Sequence, residues 1–262
     1  MQNGTQGCLR LTSQHSILES GRAWHGDVLH NIESRLRGDP NFPCLFARNA
    51  FGRGLLRFVF VEGISDADVQ HLANGLIDYV ELSRDWNGSL NTAYPLVVAF
   101  SLDAIRSQSA PDYDAFGWSI LQRLHECDPR PWPIGIGTDP NAAAWSMCFN
   151  GMPLFCNMSH PAHRLRRSRN LGEHFVMVIN PRERFDVVAG ETPAGRTVRA
   201  SIRARIGRYD VVPHSPQLAS YSAGGIEWRQ YSLSDENVDR TDRCPFRPHD
   251  RYRSDERGLV GS

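Results

Sequence analysis

The chain contains no lysine. Every one of its 29 basic residues is arginine, and 29 Asp and Glu balance them to a formal net charge of +0. That balance excludes broad attraction to nucleic acid or an acidic membrane as the main business of the protein, so any electrostatic specialisation must be local. Exclusive use of arginine is what a genome rich in G and C produces, which lowers the weight of any one arginine cluster. No apolar run approaches the roughly 20 residues of a membrane helix. The opening MQNGTQGCLRLTSQ lacks the basic start and apolar stretch of a signal peptide, and the expected location is the cytoplasm. The six cysteines, at 8, 44, 127, 148, 156 and 244, form no C-x-x-C pair and no C-x-x-C-H sequence. Neither a zinc ribbon nor covalently attached haem is indicated, and reduced thiols are expected. P-loop, G-x-G-x-x-G, G-x-S-x-G, H-E-x-x-H and internal repeats are all missing.

What is present suffices for a substantial core: 262 residues, 40% of them hydrophobic. Residues 1–16 read as a loose, polar N-terminus and 17–233 as one domain. Residues 234–262, charged and containing proline, read as a mobile tail. Apolar residues at helical spacing predict helices over Ser16 to Arg37, Ser65 to about Ser83, 112 to 126 and Thr197 to Ile206. On the last of these, Arg199, Arg203 and Arg205 are expected to be solvated. Short apolar runs predict strands at Leu55 to Val61, Pro95 to Phe100, Ala143 to Asn150, Met152 to Met158 and Phe175 to Ile179. Asn150-Gly151 is a hairpin turn between two of them. Strands and helices alternate without strict periodicity, which predicts an α+β fold with a mixed central β-sheet and flanking helices.

The connection after Met158 concentrates the chemistry. It carries His160, Pro161 and His163, then Arg164, Arg166, Arg167 and Arg169, then Asn170 and Gly172. Two imidazoles followed by a fork of guanidiniums suit a metal or haem iron at one end and an anion at the other. The alternative is a basic surface loop with solvated histidines. Other candidates also carry two readings. Cys44, after Asn41-Phe42-Pro43, is a thiolate ligand to haem or a small buried residue. His125, in the last turn of its helix, is an iron ligand or a cation favoured by the helix dipole. Cys244, before Pro245, is a sulfur ligand or part of a segment docked through Phe246.

The pattern Asn157-x-Ser159-x-Pro161-x-His163-x-x-Arg166-Arg167-Ser168-Arg169-Asn170-Leu171-Gly172, followed by Ile179-Asn180-Pro181-Arg182-x-x-Phe185-Asp186, resembles the YqcI/YcgG family. The resemblance extends to Phe42-Pro43-Cys44-Leu45-Phe46-Ala47, to Leu121 to Pro133 and to Cys244-Pro245-Phe246, so it covers nearly the whole chain after residue 40. Several members of that family are haem-dependent N-oxygenases of specialised metabolism. The resemblance therefore implies non-covalent haem b, with its iron, and hydroxylation of the guanidine of L-arginine to N-omega-hydroxy-L-arginine. It also implies O2 with an external electron donor, or peroxide in its place. Expected partners are a small amine or guanidine substrate, O2 and that donor, with a homodimer as the candidate assembly and neither nucleic acid nor membrane. On this reading His163 is the iron ligand, with His160 and His125 as second choices, and Arg166, Arg167 and Arg169 bind the cofactor. Asp85 beside Trp86, or Asp186, would accept the substrate guanidinium, because a carboxylate matches its fork of N–H donors. Two alternatives stand beside it: N-oxygenation of another amine such as an aminoimidazole, and a haem-binding sensor without turnover that uses Cys44 or Cys244.

Overall fold

The computed structural model describes residues 10–218 and 225–249. Cys8 and the tail beyond residue 249 lie outside the described residues. Six strands form one mixed sheet: β1 (Thr12–Ser13), β2 (Arg57–Val61), β3 (Leu96–Phe100), β4 (Met147–Phe149), β5 (Met152–Ser159) and β6 (Val176–Pro181), in the spatial order β1-β2-β3-β6-β5-β4. Only β2 and β3 run parallel; the other neighbours are antiparallel. Seven helices flank the sheet among the described residues: α1 (Gln14–Ser20), α2 (Ala23–Gly38), α3 (Leu45–Gly52), α4 (Asp66–Arg84), α5 (Ala110–Glu126), α6 (Arg182–Ala189) and α7 (Pro193–Tyr209). The α+β architecture with a mixed sheet is as the sequence predicts.

Side-chain alternation divides the interior into two cores. On β3, Leu96, Val98 and Phe100 face one side, and Val97 and Ala99 the other. All five residues are buried, which is why the strand reads as a continuous apolar run. Helices α4 and α5 cover the first face with Leu72, Leu76, Val80, Leu121 and Leu124. Helix α2 covers the second with Val28, Leu29, Ile32 and Leu36, against Phe58, Phe60 and Val176. The approach of α5 is close: a Cβ on Gly117 would lie 2.6 Å from Met158 Sδ and 2.9 Å from Phe175 Cζ. Ser65 caps α4 in a reciprocal pair with Asp68. Asn150 and Gly151, both at positive φ, turn β4 into β5.

Several boundaries differ from the sequence reading. The first helix is two, because Gly21 and Arg22 are extended; a Cβ on Gly21 would lie 2.7 Å from the carbonyl oxygen of Ile17. Residues 12–16 are ordered by β1 and the Ser13 cap. The strand expected from Ala143 begins only at Met147, and Leu45–Gly52 forms a helix that periodicity did not reveal. The described part of the expected tail packs on the domain, with Cys244 and Phe246 buried in the α4/α5 core. No helix among the described residues is long and apolar enough to cross a membrane.

Candidate functional site

On the second face, β5 is left uncovered by α2, and a cavity of about 520 Å³ opens there. Strand β5 supplies Phe155, which packs on Phe185 and Tyr231 at the edge of the α4/α5 core, and Asn157, whose neighbours Cys156 and Met158 are in that core. Helix α7 supplies Arg199, Ile202, Arg203 and Ile206, one stripe at helical spacing. Phe185 and Asp186 come from α6, and Phe42, Cys44 and Phe46 from the entry to α3. Arg166, Ser168 and Arg169 complete the wall.

Each part of that wall is held by a local device. Cys44 caps α3, and its sulfur accepts the Ala47 N–H at 3.3 Å. Burial pushes its thiol pKa up, opposed by hydrogen bonds from backbone amides. Arg205 ties α7 to this segment, donating to the carbonyls of Pro40 and Phe42 at 2.7 and 2.9 Å. Arg199 donates to the Gly190 carbonyl at 2.7 Å and pairs with Glu191 at 2.9 Å. Arg199 and Arg203 are therefore partly buried wall residues, where the sequence pattern placed them in solvent. No hydrogen bond or ion pair holds the Asp186 carboxylate among the described residues, and it is an available acceptor on the α6 side.

The arginine-rich connection serves architecture more than display. Arg166 is 1% exposed. It donates to the Ser234 carbonyl at 2.8 Å, to the Pro213 carbonyl at 3.3 Å and to Asn237 Oδ1 at 3.0 Å. Arg169 donates to the carbonyls of Tyr231 and Gln230 at 3.1 and 3.0 Å, and burial lowers its pKa to about 9. These two guanidiniums staple the chain after residue 229 to the loop. Arg167 is exposed, lies over the Tyr209 ring at 4.8 Å and does not line the cavity. Two carboxylates shape the same loop. Asp210 accepts Ser168 N–H and Oγ–H at 2.7 and 2.9 Å. Asp235 accepts the backbone N–H of Arg164, Leu165 and Arg166 at 2.8, 2.9 and 2.9 Å.

His163 and His160 lie beneath this loop, away from the cavity lining. Their rings stack at 3.8 Å, and Tyr113 stacks on His160 at 4.9 Å. His163 is 2% exposed and its Nδ1 lies 3.2 Å from Asp235 Oδ1. Burial, the largest cause, lowers its pKa to about 4 in spite of that carboxylate. His160 is fully buried, with Nε2 3.7 Å from Asp114. His125, in the last turn of α5, is packed against Phe246 at 4.8 Å, with Nε2 accepting the backbone N–H of His249 at 3.1 Å, and does not line the cavity. Asp85 and Trp86 form the turn after α4, where Trp86 donates to the Ser89 carbonyl at 2.8 Å; neither lines the cavity. Cys244 is in the α4/α5 core, and Cys44 packs against the other.

Of the residues singled out from sequence, the cavity thus gathers Cys44, Arg166, Arg169 and Asp186, and leaves out His125, His160, His163, Arg167, Asp85, Trp86 and Cys244. Asn157, Arg199, Arg203 and Asp210 are additions. The stripe Arg199-Ile202-Arg203-Ile206 was a legible signal for two of them; nothing local marks Asp210. Among the described residues, no three His, Cys, Asp or Glu side chains converge on a metal position. A haem iron asks less of the protein, one or two axial atoms. The cavity supplies a thiol within an apolar wall, with guanidiniums for a cofactor's carboxylates, so its residues fit that group.

Fold and site define a single-domain α+β protein with a small-molecule cavity on one face of a mixed sheet. The chain belongs to the YqcI/YcgG family, whose profile matches residues 32–247. It is 60% identical over 236 residues to a Streptomyces lavendulae protein named "Putative N(omega)-hydroxy-L-arginine synthase DcsA", covering 90% of this chain and 89% of that one. It is also 35% identical over 235 residues to a Bacillus subtilis (strain 168) protein named "Uncharacterized protein YcgG", covering 88% of this chain and 90% of the other. No solved structure matches it.

Proposed function

We propose that the protein is a haem-dependent N-hydroxylase that converts L-arginine to N-omega-hydroxy-L-arginine in the cavity between β5, α6, α7 and the Cys44 segment. The observation that carries this reading is the convergence of separated motif segments on one cavity. Phe42, Pro43, Cys44 and Phe46, then Asn157, then Arg166, Ser168 and Arg169, and then Phe185-Asp186 are distant in sequence and share a wall. The Streptomyces relative's name supplies the substrate class.

Bound haem b would supply the oxygen-inserting chemistry, consuming O2, two electrons and two protons and placing one oxygen atom on a guanidine nitrogen while the other leaves as water. Cys44 is the side chain best placed to ligate iron, because it lines the cavity while His163 and His160 do not. Its helix N-cap position favours the thiolate form that burial disfavours. Phe42, Phe46, Phe155 and Phe185 exclude water from the reaction. Arg199 and Arg203 are suited to carboxylates, those of the cofactor or of the amino acid. Asp186 is suited to the guanidinium.

The test is an optical spectrum of the protein reconstituted with haem, in ferric, ferrous and ferrous-CO forms, with product analysis by mass spectrometry. A thiolate-type ferrous-CO band that Cys44→Ala abolishes and His163→Ala retains supports the assignment. Loss of haem from His163→Ala alone returns the ligand to His163. Absence of stoichiometric haem sinks the mechanism.

A further inference from the structure

Arg208 at the C-terminal end of α7 and the exposed arginines of the neighbouring loop form a group of cations that neither the cavity nor the loop staples use. Helix α7 has five arginines and no acidic residue in 17 positions, so the acids that bring the whole chain to a net charge of +0 lie elsewhere. Lack of lysine explains why these cations are arginines, not why they gather here. Arg208 is exposed and precedes Tyr209, whose ring carries the exposed Arg167. The neighbouring loop adds Arg164, also exposed and with no ion pair to an acid among the described residues. Two large apolar side chains sit among them: Leu165, 42% exposed, and Val211, 68% exposed. They are joined by the Val211 N–H donating to the Leu165 carbonyl at 2.8 Å.

Three of the acids close to this patch are engaged, while Glu236, next to Asp235, is exposed. Asp210 is buried under Ser168, Asp235 is filled by three backbone N–H groups, and Asp39 lies 3.9 Å from Arg167. Exposed apolar residues ringed by arginine are the composition of a protein-docking surface. Its location fits electron delivery, since Arg205 on the same end of α7 holds the Phe42 carbonyl, two residues from Cys44.

We propose that the patch of Arg164, Leu165, Arg167, Arg208 and Val211 is the docking surface for an acidic protein that carries one electron at a time. Each encounter would oxidise one carrier and reduce the site by one electron, two encounters supplying what the hydroxylation consumes. This need for a donor rests on the N-hydroxylase reading; the charge complementarity does not. Such encounters are small and held by steering charges, so they weaken steeply with salt.

The experiment measures binding of an acidic two-iron ferredoxin, used as the probe, to the full chain at low and high ionic strength. The double variant Arg164→Glu/Arg208→Glu is compared with Arg130→Glu, an exposed site beside the β4–β5 turn. The double variant is expected to weaken binding by at least about tenfold and flatten its salt dependence, with Arg130→Glu unchanged. Equal binding by all forms overturns the proposal, and so does duplex DNA binding the patch as tightly as the ferredoxin. Reduction by dithionite, which needs no docking, separates the two readings. A double variant that takes up haem and is reduced normally by dithionite but slowly by ferredoxin supports the surface. If no form takes up haem, the hydroxylase reading fails while the binding comparison still decides the surface.

Discussion

The stacked histidines make a sharp prediction about acid stability. His163 is buried against His160, with Asp235 on its Nδ1, Asp114 facing His160, and Arg169 adding a repulsive charge. Its pKa is lowered from 6.5 to about 4, chiefly because burial penalises the imidazolium. The unfolded chain therefore binds more protons at this residue between those two values. The stabilising difference is fully present above about pH 6.5 and is lost as pH falls towards 4. With those two pKa values, lowering the pH from 7 to 5 removes about 2 kcal/mol through this one group. Asp235, held far below the ordinary carboxylate range by His163 and the loop amides, acts with the same sign in a more acidic window. The perturbation is His163→Gln, which keeps a donor for Asp235 and removes the titration. Urea unfolding at pH 7, 6 and 5 should show the parent losing about 2 kcal/mol more than the variant, whatever the constant offset between them. Parallel pH profiles would refute the claim that a neutral, buried His163 belongs to the folded state.

Two further outcomes follow from named contacts. Gly117→Ala gains about 1 kcal/mol of helix propensity but drives a Cβ into Met158 and Phe175, at a cost of about 1–3 kcal/mol; thermal unfolding should show a net loss, and a rise would mean that this interface yields cheaply. Asp186→Asn should raise KM for L-arginine by roughly 10- to 100-fold through loss of a charge-assisted pair, with the haem spectrum unchanged; unchanged KM would remove Asp186 from the substrate site.

Much of the scaffold was written in local pattern. The β3 run, the Ser65 and Asp68 cap and the Asn150-Gly151 turn each depend on residues adjacent in the chain. Local physics of that kind is readable without tertiary context, and so was the concentration of arginine after His163. The split of the first helix was less legible, since Gly21 is tolerated within many helices and here breaks one. The described part of the segment after residue 233 looked unanchored because its partners, Arg166, His163 and His125, are about 70 to 125 positions away.

By itself the sequence determined the fold class, the family and the segments that matter, because periodicity, turn chemistry and motif order are properties of the chain. Only the tertiary structure decided which side chains meet. The alternation of β5 sends Asn157 to the cavity and Cys156 to the opposite core. Backbone carbonyls and Asn237 take up the guanidinium of Arg166, and carbonyls that of Arg169. Stacking removes His163 and His160 from the wall, leaving Cys44 there. A buried polar group goes where its hydrogen bonds can be satisfied, and that depends on partners distant in sequence.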